Sequence, residues 1–214
     1  VVLAQHLDDQ AETLLLQLFR GAGIKGLSAM PIIRKQISDN APKILRPLLE
    51  ISRSRIEGYA RQNKLDWVND ESNDSTVFNR NFLRHDILPL LSKRYPNYPK
   101  TLLRTSRHLS EASLLLDELA AIDSENCLIF GRLQVDGLRK LSFSRAKNLL
   151  RYTLFRRGMN LPSTVRLEEI LHQLLSVSAD NQFHISFGDH EIRCYKGAIY
   201  ILPGKKLFPE PKEY

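Results

Sequence analysis

Apolar positions define the first element. Ala11, Leu14, Leu15, Leu18 and Phe19 recur at i, i+3, i+4, i+7 and i+8, which is one face of a helix. A short β-like run, Val1-Val2-Leu3-Ala4, leads into it through a polar cluster of Gln5, His6, Asp8, Asp9, Gln10 and Glu12. Asp9 reads as the N-cap, with Glu12 three residues later as in a capping box. Capping leaves His6 and Asp8 unexplained. Gly21 and Gly23 end the helix at positions free to take positive φ, and Gly26 adds another turn.

Residues 32–37 and 43–49 read as two short strands around the turn-rich Ser38-Asp39-Asn40-Ala41-Pro42. Ser52 or Ser54 caps a helix whose buried stripe is Ile56, Tyr59 and Ala60, and residues 65–68 read as a strand. The order strand, helix, strands, helix, strand fits the end of an α/β domain. A helix over residues 79–91 would place Arg80 and Arg84 on one face. Like charges at that spacing repel by a few tenths of a kcal/mol. They therefore call for an acidic neighbour (Asp70 and Asp74 are candidates), a bound anion, or plain solvation.

Pro89, Pro96 and Pro99 bracket Ser92-Lys93-Arg94-Tyr95, a domain boundary by composition. Beyond it, residues 101–124 form a long amphipathic helix carrying Leu102, Leu109, Ala112, Leu116 and Leu119. A helix with Phe143, Ala146, Leu150 and Leu154 on its buried face follows. Another begins at Pro162-Ser163 and runs through Val165, Ile170, Leu171, Leu174 and Leu175. Three strands, residues 182–187, 191–195 and 198–202, close the chain with turns at Gly188-Asp189 and Lys196-Gly197.

Composition narrows the classes. The 214 residues suffice for one large domain or two small ones. No apolar run approaches the roughly 20 residues that span a bilayer, so no membrane partner is expected. The first residues lack the layout of a secretion signal. Cys127 and Cys194 stand far apart, which argues against a zinc site or disulfide scaffold and suits a reducing cytoplasm.

The net charge of +7 favours an anionic partner such as RNA, DNA or a nucleotide. It is shared: residues 1–95 carry 14 basic and 11 acidic side chains, residues 96–214 carry 17 and 13. One segment is nevertheless purely basic. Arg139, Lys140, Arg145, Lys147, Arg151, Arg156, Arg157 and Arg166 stand in a stretch with no acid between Gly137 and Leu167, interleaved with Phe143, Tyr152 and Phe155. Such a face suits a phosphate backbone, or is simply solvated. The acidic cluster at residues 5–12 lies at a strand's carboxyl end, where open α/β sheets bind ligands.

Four blocks resemble the bacterial tRNA(Ile)-lysidine synthetases, ATP-dependent ligases of the PP-loop class. They are His6-Leu7-Asp8-Asp9-Gln10-Ala11-Glu12-Thr13; Arg20-Gly21 with Gly26-Leu27; Arg46-Pro47-Leu48-Leu49; and Asp70-Glu71-Ser72-Asn73 with Phe78, Arg80-Asn81, Leu83-Arg84 and Leu88-Pro89. Residues 100–202 are more diffusely similar to that family's central domain. The resemblance implies an α/β fold: the C-terminal part of a PP-loop, Rossmann-like parallel-sheet domain over residues 1–95. A smaller, mainly helical α+β domain with a terminal antiparallel meander would follow over residues 96–214 and bind the tRNA.

The implied reaction has two steps. ATP, with Mg²⁺, adenylates C2 of cytidine 34 in tRNA(Ile) bearing the anticodon CAU and releases pyrophosphate. The ε-amine of free L-lysine then attacks C2 and expels AMP to give lysidine. The resemblance assigns catalytic roles to His6, Asp9, Glu12, Arg80 and Arg84. It assigns lysine and nucleotide binding to Asp8, Asp9, Glu12, Asp70, Asn73 and Asn81. Lys147, Arg151, Arg156 and Arg157 are the expected tRNA contacts, and a homodimer is left open.

The family's Ser-Gly-Gly-x-Asp-Ser loop, which grips ATP, is not found in this sequence, nor is its further C-terminal domain. The chain is therefore expected to be a fragment, inactive by itself. Two other readings stay open: a non-catalytic RNA-binding module, and a metal-dependent phosphohydrolase using His6, Asp8 and Asp9, for which His85 or His108 would have to supply further ligands.

Overall fold

The computed structural model describes residues 1–34, 42–68, 79–176 and 183–203. The expected turn at 38–42 falls largely outside these residues, and Asp70, Asn73 and Asp74 fall wholly outside them. The fold is mixed α/β, and the chain divides into two compact units, Val1–Leu114 and Leu115–Tyr214. That division lies inside a long helix rather than at the prolines near Tyr95.

In the first unit, strand β1 (Ile33–Arg34) pairs antiparallel with β2 (Ile44–Leu45). The opening residues line the other edge of β2 in parallel, through a Val2–Leu45 bridge with Leu3 N donating to Leu45 O at 2.9 Å. Strand β2 is shorter than its apolar run suggests, and residues 35–37 of the first expected strand lie outside the described residues. Helix α1 (Leu7–Phe19) buries Leu7, Gln10, Ala11, Glu12, Leu14 and Leu15. The apolar stripe does not hold to its end, because Leu18 and Phe19 are exposed. Gln10 is in phase with Leu7, Ala11 and Leu14, and its buried amide meets both polar groups of Met30, donating to O at 2.8 Å and accepting from N at 3.0 Å.

Helix α2 (Ile24–Leu27) and α3 (Arg53–Gln62) follow. Ser52 caps α3, while Tyr59 of its expected buried stripe is exposed. Residues 65–68 do not form the expected strand. Leu65 N donates back to Ala60 O at 2.9 Å, with Lys64 at φ 52, so the chain is spent closing the end of α3.

The helix expected over 79–91 is broken into three: α4 (Asn79–Phe82), a π-helical turn (Leu83–Ile87) and α5 (Leu88–Arg94). Pro89 has no N–H to give the carbonyl of His85, so regular winding cannot pass through this point. Helix α6 (Tyr98–Cys127) outruns its expected bounds at both ends. Its most buried positions in each turn of the heptad are small: Ser106, Ser113, Ala120 and Cys127.

The second unit holds hairpin β3 (Leu128–Ile129) and β4 (Arg132–Leu133), helices α7 (Val135–Arg139), α8 (Phe143–Arg156) and α9 (Thr164–Ser176), and a meander β5 (Phe183–Phe187), β6 (His190–Tyr195), β7 (Ala198–Pro203). The meander pairs as its turn residues dictate: Gly188 at φ 51, and Lys196 and Gly197 at φ 47 and 74, occupy the tight turns. Ala146, Leu149, Leu150 and Leu154 of α8 join Ile170, Leu171 and Leu174 of α9 and Ile192 and Ile199 of the sheet in one core. Cys127 and Cys194 are buried there as free thiols, and burial pushes both pKa values up.

Candidate active site

The site grows from the start of α1. His6, not Asp9, is its N-cap: Nδ1 accepts from Asp9 N at 3.4 Å, and Asp9 Oδ2 accepts from His6 N at 2.9 Å. The capping box is therefore His6 with Asp9, and Glu12 takes no part in it. Its Nε2 faces Asp9 Oδ2 at 3.4 Å and its Nδ1 lies 3.6 Å from Asp8 Oδ2, so the ring sits between both carboxylates of the first turn.

One turn along, Glu12 is buried to 1% exposure in its side chain. A buried carboxylate needs partners, and it has two. Arg80 Nε donates to Oε2 at 2.6 Å; Arg84 donates from Nε to Oε1 at 2.7 Å and from Nη2 to Oε2 at 3.0 Å. Arg80 Nη2 also donates to Asp9 Oδ1 at 2.9 Å, and Arg84 Nη2 lies 3.5 Å from the same oxygen. The two arginines that should repel thus share two carboxylates from 68 to 75 residues away. The bond to Glu12 raises the pKa of Arg84, against its burial, and the fields of Glu12, Asp9 and Asp8 act in the same direction.

Asp8 has a different task. Its Oδ2 accepts from Arg53 N at 2.8 Å, at the first turn of α3. Its Oδ1 accepts no hydrogen bond among the described residues. Beside it a cavity of about 200 Å³ opens, lined by carboxylates Asp8 and Glu12, cations Arg53 and Arg84, and His6, Leu88, Pro89, Ser92 and Tyr98. Tyr98 is pushed up in pKa by burial and then by the fields of Asp8 and Glu12, so its phenol stays neutral and able to donate. Nothing in the local pattern singles out Tyr98 or Ser92; only the fold brings them to this cavity. Asn81 is buried, and Arg46 of the third motif donates to Gln5 Oε1 and, at 3.0 Å, to Pro31 O.

Among the described residues no three His, Cys, Asp or Glu side chains gather to hold a metal ion. His85 and His108 therefore do not complete a site with His6, Asp8 and Asp9, as the phosphohydrolase reading requires.

The basic segment is resolved by tertiary contacts. Lys147 Nζ pairs with Glu168 at 2.7 Å and Arg151 Nη2 with Asp117 at 2.6 Å. Arg145 pairs with Asp123, Arg139 with Asp136 and Arg166 with Glu169. Arg157 donates to the carbonyls of Gly131 and Ile201, and Arg156 is exposed. Asp117, Asp123 and Glu168 come from other helices, whereas Asp136 and Glu169 stand three residues from their partners, just outside the acid-free stretch.

Two family models match the chain: a PP-loop domain over residues 1–91 and a TilS substrate binding domain over residues 133–200. A tRNA(Ile)-lysidine synthase of Nitrosomonas europaea is 56% identical over 211 residues, 99% of this chain and 46% of that protein. Proteins of the same name from Coxiella burnetii and Actinobacillus pleuropneumoniae are 41% and 36% identical over 94% and 98% of the chain, and 44% and 50% of their own lengths. The chain thus spans about half the length of the curated relatives it matches. No described helix is long and apolar enough to cross a membrane.

Proposed function

Because this chain belongs to the tRNA(Ile)-lysidine synthetase family, we propose that its first unit forms the lysine side of a ligase site. The cavity at Asp8 is the observation that carries this reading. Free lysine brings two ammonium groups and one carboxylate, and the cavity wall offers both signs: Asp8 and Glu12 against Arg53 and Arg84. The α-carboxylate suits the guanidinium groups, and an ammonium suits Asp8.

In the proposed reaction the C2 oxygen of cytidine 34 takes the adenylyl group of ATP and pyrophosphate leaves. The lysine ε-amine then bonds to C2 and AMP departs with that oxygen. An ammonium is no nucleophile, so its proton must first be taken. Asp8 is the acceptor we assign, since Asp9 and Glu12 are already bound to guanidinium groups. His6 positions Asp9 and the helix start. Arg80 and Arg84 hold Asp9 and Glu12 in place and supply positive field for the departing phosphates.

The described carboxylates do not fit Mg²⁺, since Asp9 and Glu12 are already bound to arginine and Asp8 alone is left with a free oxygen, so no step is derived through a metal. Asp70, Asn73 and Asn81 are assigned as nucleotide or lysine contacts. In the second unit tRNA(Ile) would meet Arg156 and Arg157. Lys147 and Arg151 would have to exchange their carboxylate partners for phosphate. We assign the reaction to the cytoplasm.

The test uses the full-length protein with tRNA(Ile), ATP and lysine. Asn at position 8 can still accept from Arg53 N while removing the charge. Asp8→Asn should therefore raise the KM for lysine about ten- to hundredfold, as expected for one charge-assisted contact, slow the lysine-transfer step for want of a proton acceptor, and leave adenylation intact. An unchanged KM would refute the role of Asp8; no lysine-dependent AMP release by the wild type would refute the function.

A further inference from the structure

The hairpin β3–β4 turns on Phe130 and Gly131, whose φ angles are 49 and 71. Two successive positive φ values are the pattern for which asparagine or aspartate before glycine is favoured. A bulky aromatic residue in the left-handed region is an outlier, because its Cβ crowds the neighbouring carbonyl. Packing does not compensate, since Phe130 is 96% exposed. Neither turn chemistry nor burial explains the ring, and such strain gathers where binding needs it.

The surroundings are cationic. Arg157, at the end of α8, donates to Gly131 O at 3.1 Å and to Ile201 O at 3.5 Å, which fastens the hairpin tip to the body of its unit. Arg132, opposite Ile129 in the hairpin, lays its guanidinium over Tyr200 at 4.7 Å. Among the described residues neither arginine meets a carboxylate, nor does Arg156 beside Arg157. Five other cations of residues 139–166 do.

We propose that the Phe130 tip is a stacking platform for an unpaired base of bound tRNA, with Arg132 and Arg157 meeting the adjacent phosphates. An exposed ring suits the face of any unstacked base, and unneutralised guanidinium groups suit the backbone on either side of it. Arg157 still has donors beyond those given to the two carbonyls. The platform rests on the reading of this protein as a tRNA-modifying ligase.

The experiment measures tRNA(Ile) affinity and modification by the full-length protein at fixed salt. Phe130→Asn suits the backbone better than phenylalanine, so it should melt no lower than wild type while binding tRNA about tenfold more weakly, the loss of one stacked base. Phe130→Trp should keep the affinity and show its fluorescence quenched by tRNA. Arg132→Gln should make the salt dependence shallower by about one phosphate contact. Equal affinity for wild type and Phe130→Asn, with both modifying tRNA, overturns the platform alone. A wild type that neither binds nor modifies tRNA(Ile) overturns the functional reading and the platform with it. A fall in the mass of the assembly in Phe130→Asn, with RNA affinity unchanged, would make the tip a contact between copies and overturn it too.

Discussion

Replacing Glu12 with glutamine tests whether the four-residue charge cluster holds the first unit together. Glutamine has the same shape, so the change is one of charge and of one acceptor turned into a donor. Three bonds from two guanidinium groups converge on the carboxylate. With its oxygen in the place of Oε2 the carboxamide keeps Arg80 Nε and Arg84 Nη2, while its NH₂ faces Arg84 Nε, and Asp9 is left as the cluster's one carboxylate. One charge-assisted bond worth about 1.5–3 kcal/mol is lost and two more weaken by about 1 kcal/mol each as the acceptor loses its charge, an upper range of about 3–5 kcal/mol. Arg80 is 40% and Arg84 22% exposed, so water recovers part of that. A cost of about 2–4 kcal/mol follows, in line with breaking a partly buried pair.

The assay is urea unfolding followed through Trp67, the only tryptophan in the sequence and a residue of the first unit, with the m-value checked for constancy. A double-mutant cycle with Arg84→Met should show coupling, because the second substitution removes a guanidinium that the first leaves partly unpaired. A Glu12→Gln variant within about 0.5 kcal/mol of wild type, or strictly additive effects, would refute the reasoning.

Two further outcomes follow from the second unit. A Cβ on Gly137 would stand 2.8 Å from Cys127 Cα and 3.1 Å from its Sγ, backbone and core that cannot yield cheaply; Gly137→Ala should cost about 1–3 kcal/mol in equilibrium unfolding, and an unaffected stability would show that α7 can shift freely. Burial raises the thiol pKa values of Cys127 and Cys194 above the ordinary 9.0. Folded and unfolded thiols are both protonated below that, so their contribution is intact there. It is lost as pH rises through the folded pKa, at about 1.4 kcal/mol per pH unit for each thiol. Denaturation midpoints by circular dichroism from pH 8 to 11 should fall, less steeply in Cys194→Ala; a flat profile would contradict it.

Short-range features could be read from the chain alone. The 3.6-residue period located α1, α8 and α9, glycine ended α1 at Gly21 with φ 68, and glycine-containing turns set the register of β5 to β7. These depend on residues a few positions apart, whose geometry the backbone dictates. The same rules placed Asp9 and Glu12 one turn apart, and Arg80 and Arg84 one turn apart.

What the period could not say is that the pairs would meet each other. A capping box of Asp9 and Glu12 is as good a local solution as the His6 and Asp9 box that formed. The difference lies with Arg80 and Arg84, far along the chain, which claim Glu12 for themselves. Likewise the stretch from Gly137 to Leu167 holds no acid, yet Asp117, Asp123 and Glu168 reach Arg151, Arg145 and Lys147 from other helices. Local winding follows from neighbouring residues, whereas the partner of a charge depends on which distant element packs beside it. The sequence by itself determined the helices, turns and candidate charges; only the tertiary structure decided which of those charges are spent on one another and which, such as Arg132 and Arg157, meet no carboxylate among the described residues.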